Sequence, residues 1–205
     1  HRRAVAPPFL NSCKTGSDAV GLGDMLKTQL GLLWKFLGFF QPPVLRFLHA
    51  LVVCLILVQV LTQLFGLGTV HMILGLVLCV LGFGLVACGI GMRGPRHYFP
   101  YLWGDMDQLG KDVAAIRGGK LIIAPRPKGL ACVVQGLGMG ALSMALLTGL
   151  WWFRSWQMGD VSHTAASLHS IFVWLLMAYA VGHGGMALGH FFFWKQAAAK
   201  KPQAS

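Results

Sequence analysis

The sequence predicts an all-α integral membrane protein: a bundle of four transmembrane helices with both termini cytoplasmic and an interfacial helix ahead of the first span. Three observations carry that expectation. Of 205 residues, 56% are hydrophobic and 11% charged, with a mean hydropathy of +0.64, whereas a water-soluble domain carries about 25% charged residues. Four segments, about 47–66, 70–92, 129–152 and 166–194, contain no Lys, Arg, Asp or Glu, and each reaches the roughly 20 apolar residues a helix needs to cross hydrocarbon. With these spans, sixteen of the 17 Lys and Arg fall on one side and only Arg154 on the other. Positive charge stays on the cytoplasmic face, which places both termini and the 93–128 loop inside.

Taken in order, residues 1–23 read as a flexible segment, matching neither a cleavable signal nor a domain. The missing initiator Met points to processing or to a cut edge of the chain. Residues 24–43 read as an amphipathic interfacial helix, with Leu26, Leu30, Leu33 and Leu37 at helical spacing. Asp24 is placed to cap it and Pro42-Pro43 to stop it. Residues 44–196 form the four-helix domain, and its fourth span is long enough to tilt or project beyond the bilayer. Within the 93–128 loop a short helix is expected around 107–116, separated from the third span by Gly118-Gly119, Pro125 and Pro127. Residues 197–205 read as a flexible tail. Long continuous apolar runs argue against a barrel, whose strands are short and alternating.

The net charge of +11 is accounted for by orientation and contact with anionic membrane lipid. The basic residues are dispersed and match no recognition motif, so no nucleic-acid partner is expected. Four of the five cysteines, Cys54, Cys79, Cys88 and Cys132, lie in spans and read as small hydrophobes, and Cys13 is isolated. There is no Cys-x-x-Cys-His, so covalent c-type haem attachment is not indicated.

The histidines carry the chemistry. Five of eight lie within or at the edge of spans: His49, His71, His169, His183 and His190. Ionisable groups are costly in a membrane interior and point to function, although a single one also serves as a polar residue bonded to a neighbouring helix. The topology matches two pairs in depth, His49 with His183 near the inner face and His71 with His169 near the outer. His169 and His183 stand 14 positions apart, which puts them on one helix face about 21 Å apart at about 1.5 Å rise per residue. Two imidazoles from facing helices can clamp a macrocycle by its iron. Gly75 and Gly182, near these positions, are candidates for admitting its ring. Zinc fits less well, because its ligands converge at one depth. The chain has no Glu, and none of its six Asp lies in a span, which favours electron over proton transport. His97 and His163 lie in loops, with His163 as a fallback outer ligand.

Several stretches together resemble the bacterial cytochrome b561 family, within the broader group of di-haem membrane subunits of formate dehydrogenases and nickel–iron hydrogenases. They are Arg46-Phe-Leu-His49, His71-Met-Ile-Leu-Gly75, Thr148-Gly149, and Leu168-His169 through His183 to His190-Phe-Phe-Phe-Trp194-Lys195. The resemblance covers roughly residues 44–196. It implies two b haems in a bacterial inner membrane, one held by His49 and His183, the other by His71 and His169, with quinone exchange near the surface. It also implies that His190, Trp194 and Lys195 border the quinone, and that Arg46 and Lys128 face haem propionates. For Trp194 and Lys195, ordinary interfacial anchoring is the competing explanation. The N-terminal extension and the long loop with Tyr98-Phe-Pro-Tyr-Leu-Trp103 depart from the small stand-alone members and move the chain toward the subunit type.

The expected activity is electron transfer between a periplasmic redox protein or catalytic subunit and the quinone pool. An electron-transfer subunit is preferred to a self-contained oxidoreductase. One alternative is a stand-alone enzyme that oxidises a small periplasmic reductant such as superoxide with quinone as acceptor. The other is a structural or assembly membrane protein whose histidines only pack.

Overall fold

The computed structural model describes residues 22–119 and 127–199. The expected flexible segment lies outside the described residues apart from Leu22 and Gly23, as do Lys120, Pro125, Arg126 and the last six residues of the tail. Every described element is helical. Helix α1 spans Leu22–Phe40, α2 Pro43–Leu64, α3 Gly68–Arg93, α4 Pro95–Tyr98, α5 Asp107–Arg117, α6 Leu130–Gln157 and α7 His163–Ala199, with a 3₁₀ turn at Pro100–Trp103. Four of these, α2, α3, α6 and α7, are long and apolar enough to cross a membrane. Helices α3 and α7 contain their expected spans and extend beyond them at both ends, whereas α2 starts earlier than expected and ends two residues sooner, at Leu64, and α6 starts one residue later, at Leu130, and runs on to Gln157.

Local chemistry sets the boundaries. Pro43 opens α2, where a missing N–H leaves nothing unpaired. The α2–α3 turn passes through Gly66 at φ 66°, a left-handed conformation that glycine adopts without a Cβ penalty. Helix α6 is capped from outside its own sequence: the Leu130 N–H donates to Asp112 Oδ2 at 3.0 Å, while Gln108 Nε2 donates to Asp112 Oδ1 at 2.8 Å. Asp112 is only 1% exposed, so α5 is locked to the start of α6 by a carboxylate placed at the positive end of its dipole. Tyr98 also lies against α6, with its carbonyl directly over Gly136.

The spans form two tight pairs, α2 with α3 and α6 with α7, joined where α3 packs on α6. Neither α2 nor α3 packs closely along α7. Helix α6 is the most buried of the four and α7 the least. The bundle meets in a middle layer of Val52, Leu78, Leu142, Ala145, Leu146 and Leu176. Leu176 is midway between His169 and His183, so this apolar layer divides the bundle into two compartments.

Candidate functional site

On one side of that layer, α2 presents His49 and α7 presents His183, with ring centroids 6.3 Å apart and planes at 71°. Two imidazoles bound to one metal at about 2 Å from each nitrogen have centroids roughly 6 Å apart, so the spacing fits a bis-histidine iron. Tyr179, one turn before His183, stacks on it at 5.1 Å and 17°. The Tyr179 ring reaches into α6 at Gly138, where a Cβ would collide with it. Among the described residues, no hydrogen bond is made by the His49 or His183 ring.

On the other side stand His71, near the start of α3, and His169, near the start of α7. His169 Nδ1 is 2.9 Å from the Ala145 carbonyl. His71 Nδ1 is 3.2 Å from the Gln59 carbonyl and 3.1 Å from Thr62 Oγ1. A carbonyl only accepts, so Nδ1 carries the proton in both rings and Nε2 keeps its lone pair for a metal. Backbone carbonyls commonly hold metal-ligating histidines in this way. Gly149 makes room for His169, since a Cβ there would stand 3.0 Å from its Cε1. Trp152 lies 6.1 Å from the same ring.

These residues fit a planar macrocycle gripped from two sides. The paired histidines come from helices that do not pack on each other, leaving room between them. Among the described residues no group of three or more His, Cys, Asp or Glu gathers as a zinc site would require.

The remaining predicted residues have other neighbours. Arg46 Nη1 donates to the Trp34 carbonyl at 2.8 Å, and its guanidinium covers the Trp34 ring at 4.5 Å. Arg46 therefore fastens α1 to α2, while its Nε is buried without a partner. Trp194 stacks with Phe191 and tilts against Phe36 of α1. Lys195 Nζ donates to Gln29 Oε1 at 3.2 Å. Around that bond, Leu26, Leu30, Leu33, Leu188 and Phe191 line a cleft of about 460 Å³ between α1 and α7. His190 is half-buried and, among the described residues, makes no ring contact or hydrogen bond. Lys128 pairs with Asp105, which accounts for its charge without a haem propionate. His163 is exposed at the first residue of α7. Gly75 has a different neighbour from the one expected: a Cβ there would meet Gln59 Nε2 at 3.1 Å, so it admits an amide of α2. A Cβ at Gly182 would meet nothing within 4 Å.

The sequence profile of the prokaryotic cytochrome b561 matches residues 41–201. The chain belongs to that family. As a prokaryotic cytochrome b561 it is a membrane b-type cytochrome of electron transfer, and the family implies binding of haem b. The match starts after α1, so the wall that α1 contributes to the α1–α7 cleft lies outside the family's matched region. No curated protein and no solved structure matches the chain.

Reading the sequence missed Gln59, Thr62, Ala145 and Tyr179 as neighbours of the histidines. Gln59 and Thr62 did carry a signal, being polar residues inside an otherwise apolar span. Ala145 acts through its carbonyl, which no side-chain pattern reports.

Proposed function

We propose that this cytochrome b561 holds two haems, one between His49 and His183 and one between His71 and His169, and passes electrons across the membrane. The observation that carries this reading is the pairing of four histidines in two layers, with the 6.3 Å ring separation of the first pair. Haem b, when bound, supplies a one-electron iron centre in each layer. The chain's own residues orient the imidazoles, and the Val52–Leu78–Leu176 layer excludes water between the two compartments. Arg46 Nε, three residues before His49, is available to a haem propionate.

The sixteen-to-one distribution of positive charge supports a cytoplasmic location for both termini, in a bacterial inner membrane. The His49–His183 layer then lies toward the cytoplasm. Helix α1, with Leu22, Leu26 and Leu30 exposed, lies in that membrane surface as an interfacial helix. The α1–α7 cleft, apolar except for Lys195 and Gln29, is the candidate quinone site; Trp194, which packs on its lining residue Phe191, and His190 are further candidates that the resemblance supplies. A redox protein or catalytic subunit at the periplasmic face is the partner.

Haem content of the purified protein, with a reduced-minus-oxidised spectrum in detergent, tests this directly. Two non-covalent b haems per chain with low-spin bands are expected. His49→Ala and His183→Ala should each lose one and the same haem, and His71→Ala and His169→Ala the other. Absence of haem after expression with adequate haem supply would end the reading.

A further inference from the structure

The His71 ring is held by a reciprocal clasp between α2 and α3. Its Nδ1–H faces the Gln59 carbonyl and Thr62 Oγ1, while Gln59 Nε2 donates back to the His71 carbonyl at 3.0 Å. The Thr62 hydroxyl donates to the Gln59 carbonyl at 2.8 Å, which leaves its oxygen lone pairs for the His71 Nδ1–H. Gln59 and Thr62 are 8% and 5% exposed. Polar side chains are costly in a span unless paired. A related arrangement occurs at His169: its Nδ1–H goes to the Ala145 carbonyl, while the hydroxyl of Thr148, three residues on, donates to the Met144 carbonyl at 2.6 Å and lies 3.1 Å from that of Ala145. In both places a main-chain carbonyl, a threonine at i+3 and a histidine of the next helix meet.

Hydrogen bonding at Nδ1–H makes Nε2 more basic and fixes the ring's orientation. A more basic axial ligand stabilises ferric over ferrous iron, which lowers the reduction potential. We propose that Gln59 and Thr62 are positioning residues that fix His71 as an Nε2 ligand and lower the potential of the centre it serves. This rests on the reading of His71 as a haem ligand. Gly75 belongs to the same device, because a side chain there would displace the Gln59 amide.

The test is a redox titration and ferric electron paramagnetic resonance of the purified holoprotein carrying Thr62→Val, with Thr62→Ser as the conservative variant. The Val variant should raise one of two potentials and shift one low-spin ferric signal, leaving the other centre unmoved. The Ser variant should restore both. Loss of that one haem in Val, regained in Ser, supports the same role. Unchanged potentials and signals overturn it, as does a variant that melts earlier with both centres unaltered or equally altered, since Thr62 then serves only helix packing. His71→Ala separates the two levels of the argument. If that variant retains both haems, the ligand reading itself falls; if it loses one while Thr62→Val changes nothing, only the positioning role falls.

Discussion

At the His71–His169 end each ring donates Nδ1–H to a main-chain carbonyl of a neighbouring helix, whereas at the His49–His183 end the rings are held by packing. There His183 lies flat on Tyr179, whose own ring is pressed into α6 over Gly138. The difference follows from what each helix offers. Gln59 and Ala145 lie on turns where a threonine three residues later folds back over the helix carbonyls, Thr62 donating to that of Gln59 and Thr148 to that of Met144 beside Ala145, which brings polar atoms together. The other end has aromatic surface and glycine, so orientation is fixed by shape rather than by a directed bond. A hydrogen-bonded imidazole is polarised as well as oriented, and a stacked one is mainly oriented.

The strongest way to break this comparison is to crowd one end alone. Gly149→Ala sets a Cβ 3.0 Å from His169 Cε1, and overpacking of this kind costs about 1–3 kcal/mol. Haem content should fall at the His71–His169 end and hold at the other. Gly140→Ala, where a Cβ meets nothing within 4 Å, should leave both haems in place. Equal losses in the two variants would mean that the helix, and not the ring, had responded.

A smaller effect separates the two centres by removing one ligand at a time. The single haem left in His49→Ala should titrate at a lower potential than the single haem left in His71→Ala, because only the former retains both Nδ1–H···O=C bonds. Under the proposed orientation this order carries electrons inward, toward the α1–α7 cleft. Equal potentials, or the reverse order, would show that propionate contacts or burial outweigh ligand hydrogen bonding.

The membrane class, the four spans and the depth match of His49 with His183 were legible because they rest on periodicity and on charge, which a sequence displays directly. His49 and His183 match in depth once the topology is set, and their ring centroids lie 6.3 Å apart. The rest depended on contacts that spacing does not encode. Gly75 read as space for a macrocycle, yet Gln59 of another helix occupies that space. Lys128 read as a partner for an anion within the bundle, but the loop returns Asp105 to it. Arg46, a propionate candidate from the family resemblance, turns its Nη1 to the Trp34 carbonyl and, among the described residues, leaves its Nε unpaired. Each of these depends on how a loop or a neighbouring helix folds back.

The smallest predicted effect lies in the connecting loop, where a histidine meets both a thiol and an aromatic ring. His97 Nε2 is 3.6 Å from Cys132 Sγ, and its ring meets Tyr98 edge-on at 4.9 Å. Burial, then the nearby Arg93 charge, holds this imidazole below its ordinary value of 6.5. The folded state therefore binds fewer protons than the unfolded state in the window below about 6.5, so stability rises with pH there and is lost as pH falls. Lowering the pH from 7.5 to 5.5 should loosen the 95–103 segment, read as faster amide hydrogen exchange after correction for the intrinsic rate. His97→Gln should remove that pH response while leaving the haem spectrum unchanged. A spectrum that shifts with the loop would instead couple this segment to the His49–His183 end, and the loop histidine could no longer be treated as independent of the ligand histidines.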